Sequence, residues 1–202
     1  MNKFLAIFST LALATVASAT SPLVNAPSDA YQIRYAANFG VGDSVVDLTN
    51  AGTAGGFDPS GDICANVYVF AEDQQLISCC SCPLTPNHLR TLSVRTDLIN
   101  NTLTPGVPTA VTIGLLASKG TTCNAANVTA ANLTGGLLAW GTTLHAMPSG
   151  GFALAETPFS PVGLSVSEMF KMTSFCGFIQ AIGSHYGICN SCQTGASGAA
   201  KR

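Results

Sequence analysis

Cys189 and Cys192 stand with two residues between them near the end of the chain, the spacing used in dithiol–disulfide exchange. That chemistry needs a thiolate stabilised at a helix N-terminus, usually where a strand runs into a helix. Here the pair follows a helical stretch and precedes a tail of small residues, so a structural disulfide clamping the C-terminus fits the setting better. Cys79, Cys80 and Cys82 form a second cluster. Together with Cys189 and Cys192 they could supply tetrahedral sulfur ligands to zinc. The single residue between Cys80 and Cys82 is tighter than the usual zinc knuckle, and an exported chain meets oxidising conditions. No cofactor or metal is expected.

The materials for nucleophilic catalysis are thin. The histidines are His88, His145 and His185, and no G-x-S-x-G elbow accompanies the many serines. Ser184 beside His185 is adjacency in sequence, which is not triad geometry. Glu156 and Glu168 are the acids outside loops, but no motif links them as a glycosidase pair. Asp58 and Asp62 flank the end of a glycine-rich loop without the ligand spacing of a calcium loop, and read as solvated acids. No catalytic residue is assigned, and the reading leans away from an enzyme.

The elements that must carry these residues centre on Asp62–Pro86. Ala65, Val67, Val69 and Ala71 alternate with Cys64, Asn66, Tyr68 and Phe70, which predicts a strand. Glu72–Gln75 make a polar turn, and Leu76–Cys82 return antiparallel. With the turn near Asp73–Gln74, Cys64 falls almost opposite Cys82. A cross-strand disulfide is then open to them, unless a slip of one residue turns the two side chains to opposite faces. Cys79 and Cys80 point to opposite faces and should find different partners, at least one of them distant in the chain. Cys64, Cys79, Cys80, Cys82, Cys123, Cys176, Cys189 and Cys192 are an even set, expected in as many as four disulfides whose pairing the sequence leaves open.

Further strands are expected at Tyr31–Ala37, Ser44–Leu48, His88–Leu98 (as the third strand of a meander), around Val111–Leu115, and at Gly136–Met147. The last of these should form a hairpin with Phe152–Thr157. Trp140, Tyr31, Tyr35 and Tyr68 sit in strand patterns and are expected in the core. The period then changes. Ser165 and Glu168 make a capping box, which predicts a helix from about Val166 to Gln180, stopped near Gly183. Its stripe from Met169 to Ile179 reads as core. The expected fold is mostly β: an antiparallel β-sandwich or open barrel of about eight strands, with one C-terminal helix closing an end or covering an edge.

Residues 1–19 have a short basic start, an apolar run and a small-x-small site at Ala17–Ala19, the pattern of a secretory signal peptide. Residues 20–30 read as a flexible leader, 31–192 as one disulfide-rich β domain, and 193–202 as a disordered tail. No later stretch could span a bilayer as a helix. Only 9% of residues are charged. Without Lys3, ten acids and seven bases leave a net charge of −3 and no basic patch, which argues against nucleic-acid binding. Weak self-repulsion favours self-association or packing against an extracellular partner.

The signal pattern, the strand Asp43–Asn50 and the cysteine-rich hairpin together resemble small secreted bacterial β-sandwich proteins stapled by cysteines. That resemblance implies the fold and an extracellular, cell-surface or periplasmic location, and carries over no active site. The leading expectation is a secreted, disulfide-stabilised protein with a structural, adhesive or binding role. The alternatives are an extracellular hydrolase whose site assembles from separate strands, and a redox or zinc protein using the C-terminal cysteine pair.

Overall fold

The computed structural model describes residues 22–55 and 59–192. The signal peptide, Asp58 and the tail from 193 lie outside the described residues. The strands are β1 (Tyr31–Ala37), β2 (Val45–Asn50), β3 (Ile63–Phe70), β4 (Leu76–Leu84), β5 (Leu89–Ser93), β6 (Ala110–Lys119), β7 (Leu137–Ala146), β8 (Phe152–Pro158) and β9 (Ser160–Pro161). One helix, α1 (Val166–Ile182), follows them. Five strands form one sheet in the order β4-β3-β6-β1-β9, and four form a second in the order β5-β2-β7-β8. All the strand pairs are antiparallel. The architecture is a sandwich, not a closed barrel.

Alternation places the core. In β2, Val46 and Leu48 point inward and are fully buried, while Val45, Asp47 and Thr49 remain partly accessible. They meet Ile63, Ala65, Val67 and Val69 of β3 between the sheets. Every residue of β3 is buried, because its other face lies under α1 and the segment from Cys123 to Leu133. There Tyr68, Phe70, Leu76 and Leu116 pack against Met172, Cys176 and Ile179. The helix therefore covers a face of the five-stranded sheet instead of an edge or an end. Its start is set by Ser165, whose side chain accepts the Glu168 amide, and its stop by Gly183, left-handed at φ 67°.

Three sequence expectations change. First, β5 ends at Ser93, and Val94–Leu98 forms a π-helical turn. The Ser93 hydroxyl accepts the Thr96 amide, and the Asp97 carboxylate accepts the Ser93 amide. These local bonds draw the backbone out of the strand. Second, β5 pairs with β2 in the opposite sheet, so no meander continues from β4. Third, the β3–β4 register shifts by one at a bulge between Val69 and Phe70. Cys64 then faces Pro83 and Cys82 faces Ala65, which puts the two sulfurs on opposite faces.

Residues 22–30, expected as a flexible leader, run beside the helix start. Leu23 forms a bridge with Ser165, the Val24 amide donates to Leu164, and Val166 donates to Pro22. Val24 and Ala26 pack against the core under the helix, and Ala30 is buried within it, while Leu23 stays exposed.

Candidate functional site

All eight cysteines are paired. Alternation along β4 turns Cys79 outward and Cys80 and Cys82 inward. Cys79 joins Cys176 of α1 at a Cα separation of 5.9 Å. Cys80 joins Cys189 at 5.4 Å, and Cys82 joins Cys192 at 4.8 Å. Cys64 joins Cys123 at 5.4 Å. These separations suit disulfides. The expectation that Cys79 and Cys80 reach different partners, at least one of them distant, holds, and both partners are distant; the cross-strand Cys64–Cys82 pairing is replaced. Cys189 and Cys192 each bond back to β4, so neither sulfur is the thiolate that exchange or zinc ligation uses. Backbone bonds add to the staples. The Cys79 amide donates to Gly187 and the Cys189 amide to Cys79, which lays the C-terminal segment along β4. Asn101 donates its side-chain amide to the His185 and Ile188 carbonyls.

The staples fix α1, and α1 is apolar on both sides. Met172, Cys176 and Ile179 are buried, but Phe170 is 69% exposed, Phe175 47%, Phe178 61% and Ile182 45%. The stripe expected to be core is thus divided between an inner and an outer face. At 100° per residue, Phe170 and Phe178 project away from the Met172–Cys176–Ile179 side. That projection was available in the sequence, and Phe178 is the residue the stripe left out. Lys171 is the helix's one cation, and its ammonium lies 5.1 Å from the centre of the Phe70 ring, drawn towards the sheet. A shallow groove of about 260 Å3 runs beside the outer face, lined by Gln75, Leu76, Leu103, Thr104, Phe175, Phe178 and Ile179. The outer face of α1 is thus apolar, and a disulfide holds the helix to the sheet.

Neither a protein-family model, a curated protein nor a solved structure matches the chain.

The residues considered for catalysis are scattered. His88 is exposed before β5, and His185 is exposed after α1 with φ 64°. His145 is exposed near the end of β7, with its Nδ1 3.3 Å from the Asn38 side-chain nitrogen. Glu156 lies on β8 of the four-stranded sheet, whereas Glu168 opens α1 on the far face of the other sheet. The sandwich separates them. Among the described residues, no group of three or more His, Cys, Asp or Glu side chains is placed to hold a metal ion. Also among them, no helix is long and apolar enough to cross a membrane. Tyr68 is core as expected, with its hydroxyl donating to the Ala125 carbonyl at 2.6 Å. Tyr35 is instead exposed, and Trp140 is half-buried on the outer face of the four-stranded sheet.

Tyr31 lies under the start of α1. Its hydroxyl pKa is pushed up to about 12 by burial first and then by the charge of Glu168. Tyr68 is raised further still, by deeper burial and then by Tyr31. The unfolded chain loses these protons near pH 10 while the folded protein keeps them, so stability falls as pH rises above 10. Urea unfolding should show a level free energy below that point and a decline between pH 10 and 12. Tyr31→Phe should flatten the decline, and an unchanged slope in that variant would reject the assignment.

Proposed function

We propose that this protein is secreted and non-catalytic, and that it binds or adheres to an apolar partner surface through the outer face of α1. The observation that carries this reading is the row Phe170, Phe175, Phe178 and Ile182, exposed on a helix that a disulfide holds to a sheet. Phe175, Phe178 and Ile182 are spaced three and four apart on the helix, and apolar surface gathered in this way marks interaction sites in soluble proteins. Rigidity supports binding, because a face already ordered loses little entropy when it docks. Four disulfides support folding in an oxidising compartment, in keeping with the signal-peptide pattern and the likeness to small secreted proteins.

The test is retention on phenyl-agarose in a falling ammonium sulfate gradient. The wild-type protein should be held late. The variant Phe170→Ser/Phe178→Ser should elute at clearly higher salt with an unchanged circular dichroism spectrum, since these two rings are the most exposed on the helix. Identical elution of the two proteins would remove the helix face from consideration.

A further inference from the structure

A sheet edge exposes a row of unpaired backbone groups, and folded proteins ordinarily blunt or cover it. Three of the four edges here are managed. β4 is covered by the C-terminal segment, through the Cys79–Ile188 bridge, and by the Leu103 amide, which donates to Ile77. β9 is two residues long and ends in Pro161. β5 is short, carries Arg90 at its second position and runs into the π-helical turn. The fourth edge, β8, has seven residues, a single charge at Glu156, and Phe152 and Leu154 exposed at 60% and 63%.

The free groups of β8 can be assigned. The Phe159 amide donates to Ala139, and the Met147 amide donates to Gly151. Antiparallel alternation then gives Ala153, Ala155 and Thr157 to β7, and turns the N–H and C=O of Phe152, Leu154 and Glu156 outward.

We propose that β8 pairs antiparallel with β8 of a second copy of this chain, on a two-fold axis at Leu154. In that register Leu154 meets its counterpart and Phe152 lies opposite Glu156, so the two Glu156 carboxylates are kept apart. About six backbone hydrogen bonds form, two for each facing pair of outward residues. Two four-stranded sheets join edge to edge. Phe152, Leu154 and Leu144 of each copy line one apolar strip across the seam, since Leu154 already faces Leu144 and Phe152 faces Ala146 across β7–β8. Among the described residues β8 is the longest edge left uncovered, and pairing it closes the assembly at two, where a second such edge would propagate a fibre. The formal net charge of −3 that remains without Lys3 opposes the approach of two copies only weakly. This inference goes beyond the helix-face reading and uses a separate surface, so each can fail alone.

Sedimentation velocity of the mature protein, from micromolar to submillimolar concentration, tests it. The wild type should pass from monomer to dimer and go no further. Leu154→Lys puts a charge at the seam and should weaken the dimer at least tenfold, about 1.4 kcal/mol. Leu154→Pro removes an amide that points away from β7 and should do the same with the hairpin intact. In hydrogen exchange, the Phe152, Leu154 and Glu156 amides should gain protection with concentration. A wild type monomeric throughout would overturn the proposal. So would a dimer insensitive to both substitutions at Leu154 but lost in Phe170→Ser/Phe178→Ser.

Discussion

Replacing Cys64 and Cys123 together by alanine should lower the unfolding free energy by about 4 kcal/mol, the largest loss for any one of the four disulfides. This is not the order that sequence separation suggests. Cys64–Cys123 spans 59 residues, whereas the others span 97, 109 and 110. A cross-link, however, restricts the unfolded chain only by the loop it closes beyond those already closed. With Cys80–Cys189 in place, Cys82–Cys192 adds just the small ring through Ser81, Asn190 and Ser191. Its removal should cost about 2 kcal/mol. Cys79–Cys176 adds the short path from Cys176 to Cys189, for about 3 kcal/mol. No other bond shortens the route from Cys64 to Cys123, so its loop counts in full. Urea unfolding of the alanine double variants gives the ranking directly. If losing Cys82–Cys192 cost as much as losing Cys64–Cys123, loop closure would not be how these staples act. Without Cys79–Cys176, α1 keeps its packing and hydrogen bonds, such as that from Gln180 to Asn124, but loses its covalent tie to β4, and the apolar face should loosen before the sandwich melts.

Asn50→Ala should cost about 4 kcal/mol, as much as emptying a large core position. Asn50 ends β2 and is fully buried. Its side-chain amide donates to the Gly61 carbonyl at 2.8 Å and the Leu84 carbonyl at 2.9 Å, while its oxygen accepts the Gly52 amide at 2.8 Å. One side chain thereby satisfies three backbone groups from the glycine-rich loop and the end of β4. Alanine removes a hydrogen bond from each of the three, the two carbonyls at buried sites, and each buried group left without a partner costs about 1–3 kcal/mol. Asn50→Asp is the sharper test. It keeps the acceptor for Gly52 but turns a carboxylate towards two carbonyl oxygens, so it should destabilise at least as much as alanine despite its matching shape. Urea denaturation gives the magnitude, and hydrogen exchange at Gly52 and neighbouring amides shows whether the loop opens first. A loss below about 1 kcal/mol for alanine would mean that water replaces the side chain.

Much of the architecture is legible from local pattern. Tyr31–Ala37 is a strand with the bounds its alternation indicates, and the β7–β8 hairpin turns at Pro148–Gly151 as read. Ser165, Glu168 and Gly183 bracket α1 because capping and chain reversal are decided within a turn of sequence. Period two marked β3 as a strand and divided its residues between two faces. What it could not indicate is which strands share a sheet. β5 follows β4 closely, yet crosses to the other layer, because its inward Leu92 joins Val46 and Leu48 between the sheets.

The exposed apolar surfaces were the least legible part. An apolar residue on a helix reads as core whatever lies next to it. Only the tertiary structure shows that one side of α1 meets Tyr68 and Leu116 while Phe170 and Phe178 meet solvent. The alternation of Phe152–Thr157 likewise marks a strand but not an edge, since being an edge is a property of the strand that is missing beside it. Cysteine count and spacing established that β4 is bound to distant parts of the chain. A single bulge between Val69 and Phe70 decided to which parts, by moving the register one residue and sending Cys64 and Cys82 to opposite faces. Periodicity, caps and turn chemistry are summed over neighbours in the chain, and so the sequence alone determined them. Sheet order, register and exposure depend on which distant segments bury one another, and only the folded structure decided those.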